Sequence, residues 1–261
     1  MSGDLLSILT PKNIVIFILI FTRLSGMIIS MPVFSTYPIP IQIKIWLMAL
    51  ISFIIFPFVA LKINFLVPNS MPLMLVYALK EFLIGFLIGF VSNFLFNAIQ
   101  MSGQFISLQS GLSVGNVLDP TSGEQVPVIG ELYVIMLTMV FFTLKAHQWI
   151  LSAVYKSFET LPIGIETILK PEFLEIILKM SSEIFTISIS FVLPIFCILF
   201  VLQVLLGVLS KMIPQLNVFM VAMPVQILLG FLLMLIFLNP MFNYLGTLVQ
   251  KFYYQIMILF T

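Results

Sequence analysis

The side chains able to carry acid–base, nucleophilic or metal chemistry are few and scattered. The chain has one histidine, His147, and one cysteine, Cys197. Cys197 lies in an apolar run with no second cysteine for an internal disulfide or metal cluster, and reads as a small buried apolar residue. Asp119, ahead of Pro120, suits capping the next turn or accepting from a neighbouring backbone amide. His147 could relay protons or serve as a hydrogen-bonded interhelical residue. The two would form a dyad only by accident of folding. No metal-ligand spacing, no glycine-rich phosphate loop and no serine or cysteine in sequence context with a base is present. Neither enzymatic turnover nor a cofactor is expected.

What does recur at regular spacing is a set of neutral polar and small residues. Gly85, Gly89, Asn93, Asn97, Gln100, Gln104, Ser107 and Gly111 follow one another at intervals of three and four, so they share one face of a helix. Phe86, Leu87, Phe90, Phe94, Leu95, Phe105 and Ile106 fill the remainder. An apolar helix with a stripe of glycines, amides and hydroxyls either packs closely on other helices or lines water. Gly111 and Gly115 then end the helix, and Asp119-Pro120 closes the irregular piece. Irregular backbone at membrane depth survives only inside protein or beside a cavity. The stretch reads as a pore-facing helix, with Asn93, Asn97, Gln100, Gln104 and Ser107 on the polar side, followed by a tight re-entrant loop.

The rest of the chain sets the solvent for that helix. Of 261 residues, 61% are hydrophobic and 8% charged, with mean hydropathy +1.23, which defines a polytopic membrane protein. A net charge of +1 argues against a nucleic-acid partner. Thr10-Pro11 looks like a helix cap with proline at the first position, rather than part of a cleaved signal. The first helix should run from Pro11 to Met31 and contains Arg23, whose charge must face the interior or snorkel to an edge. The choices are an assembly contact, a pore-wall charge or an anchor. A second helix is expected over Ile41 to Leu61, with Trp46 as an interfacial anchor and a kink at Pro57. The third, striped helix should span Met71 to Ser110. It carries Glu81, read as a buried contact with another helix or subunit, or else as a solvated helix end.

One further helix is expected over Val126 to Tyr155. Lys156 to Glu183 reads as a loop and a short amphipathic helix at the membrane surface. Two long apolar stretches follow, Ile184 to Ser210 and Met212 to Gln250, joined by a turn at Lys211 to Asn217. The second would span about 58 Å as one helix, against about 30 Å of bilayer core. It must be broken, with Pro214, Pro224 and Pro240 supplying the breaks, or lie outside a simple spanning arrangement. The 16 methionines could form a soft gasket around a moving chain or simply fill an apolar core.

The string from Asp119 to Val128, Asp-Pro-Thr-Ser-Gly-Glu-Gln-Val-Pro-Val, resembles the central motif of the FliR family, the R-type subunit of the type III protein export gate. Other pieces match in order: Arg23 with Gly26 and Pro32, Glu81-x3-Gly85-x3-Gly89, Gly103, Gln109-Ser110-Gly111, His147, Ser157-Phe158 with Pro162 and Gly164, Pro194, and Pro214-Gln215-Leu216-Asn217-Val218-Phe219 with Pro224. The resemblance covers nearly the whole chain. The family usually has arginine where this chain has Lys211, glycine where it has Ala222, and asparagine–glycine where it has Lys145-Ala146, which weighs against a special turn before His147.

The resemblance implies an all-α membrane protein of kinked helical hairpins and broken apolar helices, assembled in a helical hetero-oligomer. Residues 1–178 would form a P-subunit-like part with a plug loop near 109–119, and 179–261 a Q-subunit-like hairpin. Implied partners are P-type and Q-type gate subunits, a B-type switch protein, an A-type export protein, membrane lipids and the unfolded exported polypeptides. The implied location is the bacterial inner membrane at the flagellar basal body. Arg23, Glu81, Asp119, Pro120, Lys211, Pro214, Gln215 and Asn217 are expected at assembly contacts. The plug would comprise Gln109, Ser110, Gly111, Leu112, Ser113, Val114, Gly115 and Asn116, its apolar members closing and dewetting a constriction. A virulence-type injectisome homologue and a secondary transporter are the competing readings; broken helices and a polar stripe suit a transporter, but no inverted repeat is evident.

Overall fold

The computed structural model describes residues 10–36, 38–62, 70–112, 128–163, 171–213 and 218–258. Among them the regular structure is helical: α1 Pro11–Ser30, α2 Pro32–Thr36, α3 Ile41–Ala60, α4 Met71–Gln109, α5 Val128–Thr143, α6 Ala146–Thr160, α7 Pro171–Met212 and α8 Val218–Ile258. Five helices are long and apolar enough to cross a membrane, and α5 with α6 would do so only as a bent pair. The chain is an all-α membrane protein.

Local chemistry explains several boundaries. The Thr10 hydroxyl accepts from the Asn13 amide at 3.3 Å, and Pro11 occupies the first turn of α1, where a missing N–H costs nothing. At the far end of α4 the chain leaves the helix through Gly111, whose φ of 77° is the left-handed conformation favoured for a glycine just past a helix.

Four expectations need correction. Cys197, read as buried, is exposed on α7. The segment 126–155 is two helices, because the chain turns at Leu144–Lys145. Lys145 adopts a φ of 55°, costly for a side chain with a Cβ, at the position where asparagine–glycine would have signalled the turn. The short surface helix expected before Glu183 is instead the start of a long one. Lys156 belongs to α6, and Pro171 starts the 42-residue α7. Glu175, Lys179 and Glu183 follow at four-residue spacing, so alternating charges line one face of a continuing helix. Nor do Pro224 and Pro240 break α8, which runs 41 residues through both. Each proline removes one backbone bond, and the cooperative helix on either side carries through. At about 1.5 Å per residue, α4, α7 and α8 each exceed the thickness of a bilayer core.

The chain packs into two compact units. The first comprises 1–94, 145–181 and 252–261; the second comprises 95–144 and 182–251. In the first, α1 is central and packs on α3. Ile16, Leu19, Ile20, Leu24, Met27 and Ile28 are essentially sealed from solvent, a stripe at helical spacing. In the second, Tyr133 of α5, Phe191 of α7 and Tyr244 of α8 form a run of rings with centroids 5.2 and 6.2 Å apart. Here α7 and α8 form an antiparallel hairpin. Glu183 pairs with Lys251, Phe191 with Tyr244 and Leu199 with Gly230, while Ser210 and Ala222 share one cavity near the joint. Ser102 of α4 donates to the Ser188 carbonyl of α7 at 3.1 Å, and a Cβ on Gly103 would collide with the backbone of Gly130 in α5.

Candidate functional site

The first unit holds a buried ionic junction. The side chains of Arg23 and Glu81 are 0% and 1% exposed. Arg23 Nε donates to Glu81 Oε2 at 2.6 Å, Nη1 to Ser157 Oγ at 2.9 Å, and Nη2 to the Leu161 carbonyl at 2.8 Å. The guanidinium carbon stands 3.9 Å from the centre of the Phe158 ring. One fork-shaped cation therefore ties α1 to α4 and to both the body and the C-terminal end of α6. The close approach is made by small residues: a Cβ on Gly26 would strike the Phe82 carbonyl, one on Gly85 the Arg23 carbonyl, and one on Gly89 the Ser30 hydroxyl. Ser30 Oγ donates to the Phe86 carbonyl at 2.9 Å and Asn93 Nδ2 to the Ser30 carbonyl at 2.6 Å. Glycines let two backbones touch, and polar side chains then bond across the seam.

Glu81 makes the buried contact with another helix that the sequence offered for it, and Arg23 turns to the interior of the unit through Glu81 Oε2. Removing one partner of a buried pair strands the other, which costs roughly 3–5 kcal/mol. Ser157, Phe158 and Leu161 were not expected to act with Arg23; their pairing needs contacts more than 130 positions apart in sequence.

The second unit holds the base of the expected plug. Gln109 Nε2 donates to Gln203 Oε1 on α7 at 2.7 Å. Ser110 is buried against Gly230 of α8, and Gly111 faces Gln226 and Met223. Gln109, Gly111, Gln203, Met223 and Gln226 open onto a cavity of about 400 Å³, also lined by Leu206, Gly207 and Ser210. Three glutamines converge there, although Gln203 and Gln226 were passed over in the sequence. An amide inside an otherwise charge-free apolar stretch was the available signal.

The stripe on α4 divides. Asn93 is committed to α1, Ser107 is buried, Gln100 is half-buried, and Asn97 and Gln104 are exposed. Leu112 is half-buried just beyond Gly111. Lys211 is exposed in the last turn of α7 and His147 is half-buried in the first turn of α6. Ser113, Val114, Gly115, Asn116, Asp119, Pro120, Pro214, Gln215 and Asn217 lie outside the described residues. Among the described residues, no three histidines, cysteines or carboxylates gather as metal ligands.

A buried arginine joint and a glutamine-lined helix end are thus set on apolar helices, five of them long enough to cross a membrane. The family model for bacterial export proteins, family 1, matches residues 14–252, and the chain belongs to that family. It is similar to the flagellar biosynthetic protein FliR of Bacillus subtilis strain 168, 28% identical over 228 residues and 87% of each chain. It is 32% identical to the FliR protein of Escherichia coli K12 over 216 residues, 81% of this chain and 80% of that one. A further relative is the secretion system apparatus protein SsaT of Salmonella typhimurium, 30% identical over 156 residues and 60% of each chain.

Proposed function

We propose that this chain is the R-type core subunit of a flagellar type III export gate in the bacterial inner membrane, at the base of the flagellum. It lines part of the path for unfolded polypeptides and supplies a loop, Gln109 to Asn116, that seals the path when idle. Residues 1–178 take the P-subunit-like role and 179–261 the Q-subunit-like hairpin. Its partners are P-type and Q-type subunits, a B-type switch protein and an A-type export protein. The chain acts by assembly and gating, without catalysis.

The observation that carries this reading is the base of the loop. A helix end with a left-handed glycine, held by one side-chain amide bond beside a cavity, is suited to a segment that must close and release. Family membership supports the export role, and the coverage of 80–87% with FliR proteins favours the flagellar setting. The injectisome reading rests on SsaT, which matches over 60% of each chain. Native mass of the detergent-solubilised protein, expressed alone and then with P-type and Q-type subunits, tests the assignment. It predicts incorporation into a hetero-oligomer. A stable monomer or homodimer that ignores those partners, and binds a small solute, would replace the gate with a transporter.

A further inference from the structure

A second cavity, in the first unit, has no part in the gate reading. It is a groove of about 690 Å³ between α3 and α6, with Met257 of α8 also in its lining. Its α3 wall is Ile51, Ile54, Ile55 and Phe58, spaced at three and four residues on one helical face. The same face continues into Lys62, one turn past Phe58. The α6 wall begins with Leu151 and ends in Tyr155, Lys156 and Glu159. The groove is therefore apolar along its length and charged at one end.

The charged end is built rather than incidental. Lys62 Nζ donates to Glu159 Oε1 at 2.6 Å and lies 3.5 Å from the Tyr155 hydroxyl, which ties it to two residues of the groove's lining. Lys156 stands on the same rim, and among the described residues it forms no ion pair with a carboxylate. Two lysines against one glutamate leave the rim with a positive balance and a phenol as an additional donor. Depth agrees as well. The 20-residue α3 is about one bilayer core in length, so a spanning α3 would set Lys62, just beyond its last turn, at head-group level and Ile51 to Phe58 among acyl chains.

We propose that this groove is a binding site for one glycerophospholipid. Its phosphate sits between Lys62 and Lys156 with the Tyr155 hydroxyl donating to it, and an acyl chain lies along Ile51, Ile54, Ile55 and Phe58. An apolar slot with a few convergent polar groups at one end is the usual form of a small-molecule site. Here the polar groups recognise a phosphodiester and the slot recognises hydrocarbon. Glu159 holds Lys62 in place and keeps the rim from becoming a general anion trap.

Native mass spectrometry of the full-length protein in detergent, supplied with palmitoyl-oleoyl phosphatidylglycerol or with dioleoylglycerol at equal concentration, tests the proposal. One phosphatidylglycerol per chain should be retained, with the phosphate-free lipid retained at least tenfold less. The double variant Lys62→Ala, Lys156→Ala should lose phosphatidylglycerol at least tenfold. The double variant Lys12→Ala, Lys251→Ala, which removes two exposed lysines elsewhere, should retain it. Ile54→Trp should displace the lipid by filling the slot while the lysines remain. Circular dichroism matching wild type establishes that each variant is folded. Equal retention of the two lipids, or equal retention by the two double-lysine variants, overturns the site. So does a photo-crosslinker at Ile54 that captures a protein subunit instead of lipid when the partner subunits are co-expressed.

Discussion

The two ends of α4 are held in opposite ways. Near its start Glu81 is sealed against Arg23, and Gly85 and Gly89 press backbone on backbone with α1. At its end Gln109 makes one amide–amide bond to Gln203 beside a cavity, and the helix gives way at Gly111. The first end uses a charge with several fixed partners and no slack. The second uses neutral groups, each of which can exchange its partner for water at little cost. One helix thus carries a fixed joint and a releasable one, the combination that the proposed gate subunit calls for.

The contrast fails or sharpens under substitution. Arg23→Ala should have the largest effect, a loss of about 3–5 kcal/mol, read by chemical unfolding in mixed micelles and by the level of protein in the membrane. Arg23→Lys should recover only part of it, because an ammonium cannot reach Glu81, Ser157 and the Leu161 carbonyl together. Gly85→Ala should follow at about 1–3 kcal/mol, since its Cβ meets the Arg23 carbonyl and α1 must move. A tolerated alanine would mean that the seam is not close-packed.

Gln203→Leu should cost about 0.5–1.5 kcal/mol, yet raise the permeability of cells carrying the assembled complex more than either junction variant does per assembled copy. Lys62→Ala, at an exposed surface pair, should leave unfolding unchanged within error. The Lys62 ammonium is held above its ordinary 10.5 by its hydrogen bonds to Glu159 and Tyr155. Whatever small stability this gives is therefore fully present below pH 10.5 and fades as pH rises through the higher folded value. A stability loss near neutral pH as large as that of Gly85→Ala would contradict the reading of an exposed, screened pair.

Much of the frame was legible in residues. The Thr10-Pro11 cap, the long striped helix ending at Gly111 and the joint after Lys211 all depend on local chemistry that a sequence displays. What stayed hidden was tertiary. α1 is apolar on every side, so its buried stripe was not marked, and Arg23 gave no sign of whether its partner lay in this chain or another. The turn at Lys145 was obscured because lysine is a poor left-handed residue. The charges at the start of the 171–212 helix suggest a surface, whereas their four-residue spacing lets them line one face of a helix that goes on into apolar sequence. The glutamines of the loop base are ordinary residues singly; only the hairpin of α7 and α8 brings Gln203 and Gln226 to Gln109 and Gly111.

The most direct test of a releasable seal is the permeability of cells producing the assembled complex with Ser110 to Asn116 deleted. The account predicts normal incorporation of the shortened chain together with leakage of ions and small solutes. An assembled deletion variant with wild-type permeability would show that the loop only packs the helix end, and the gate would have to be sought elsewhere.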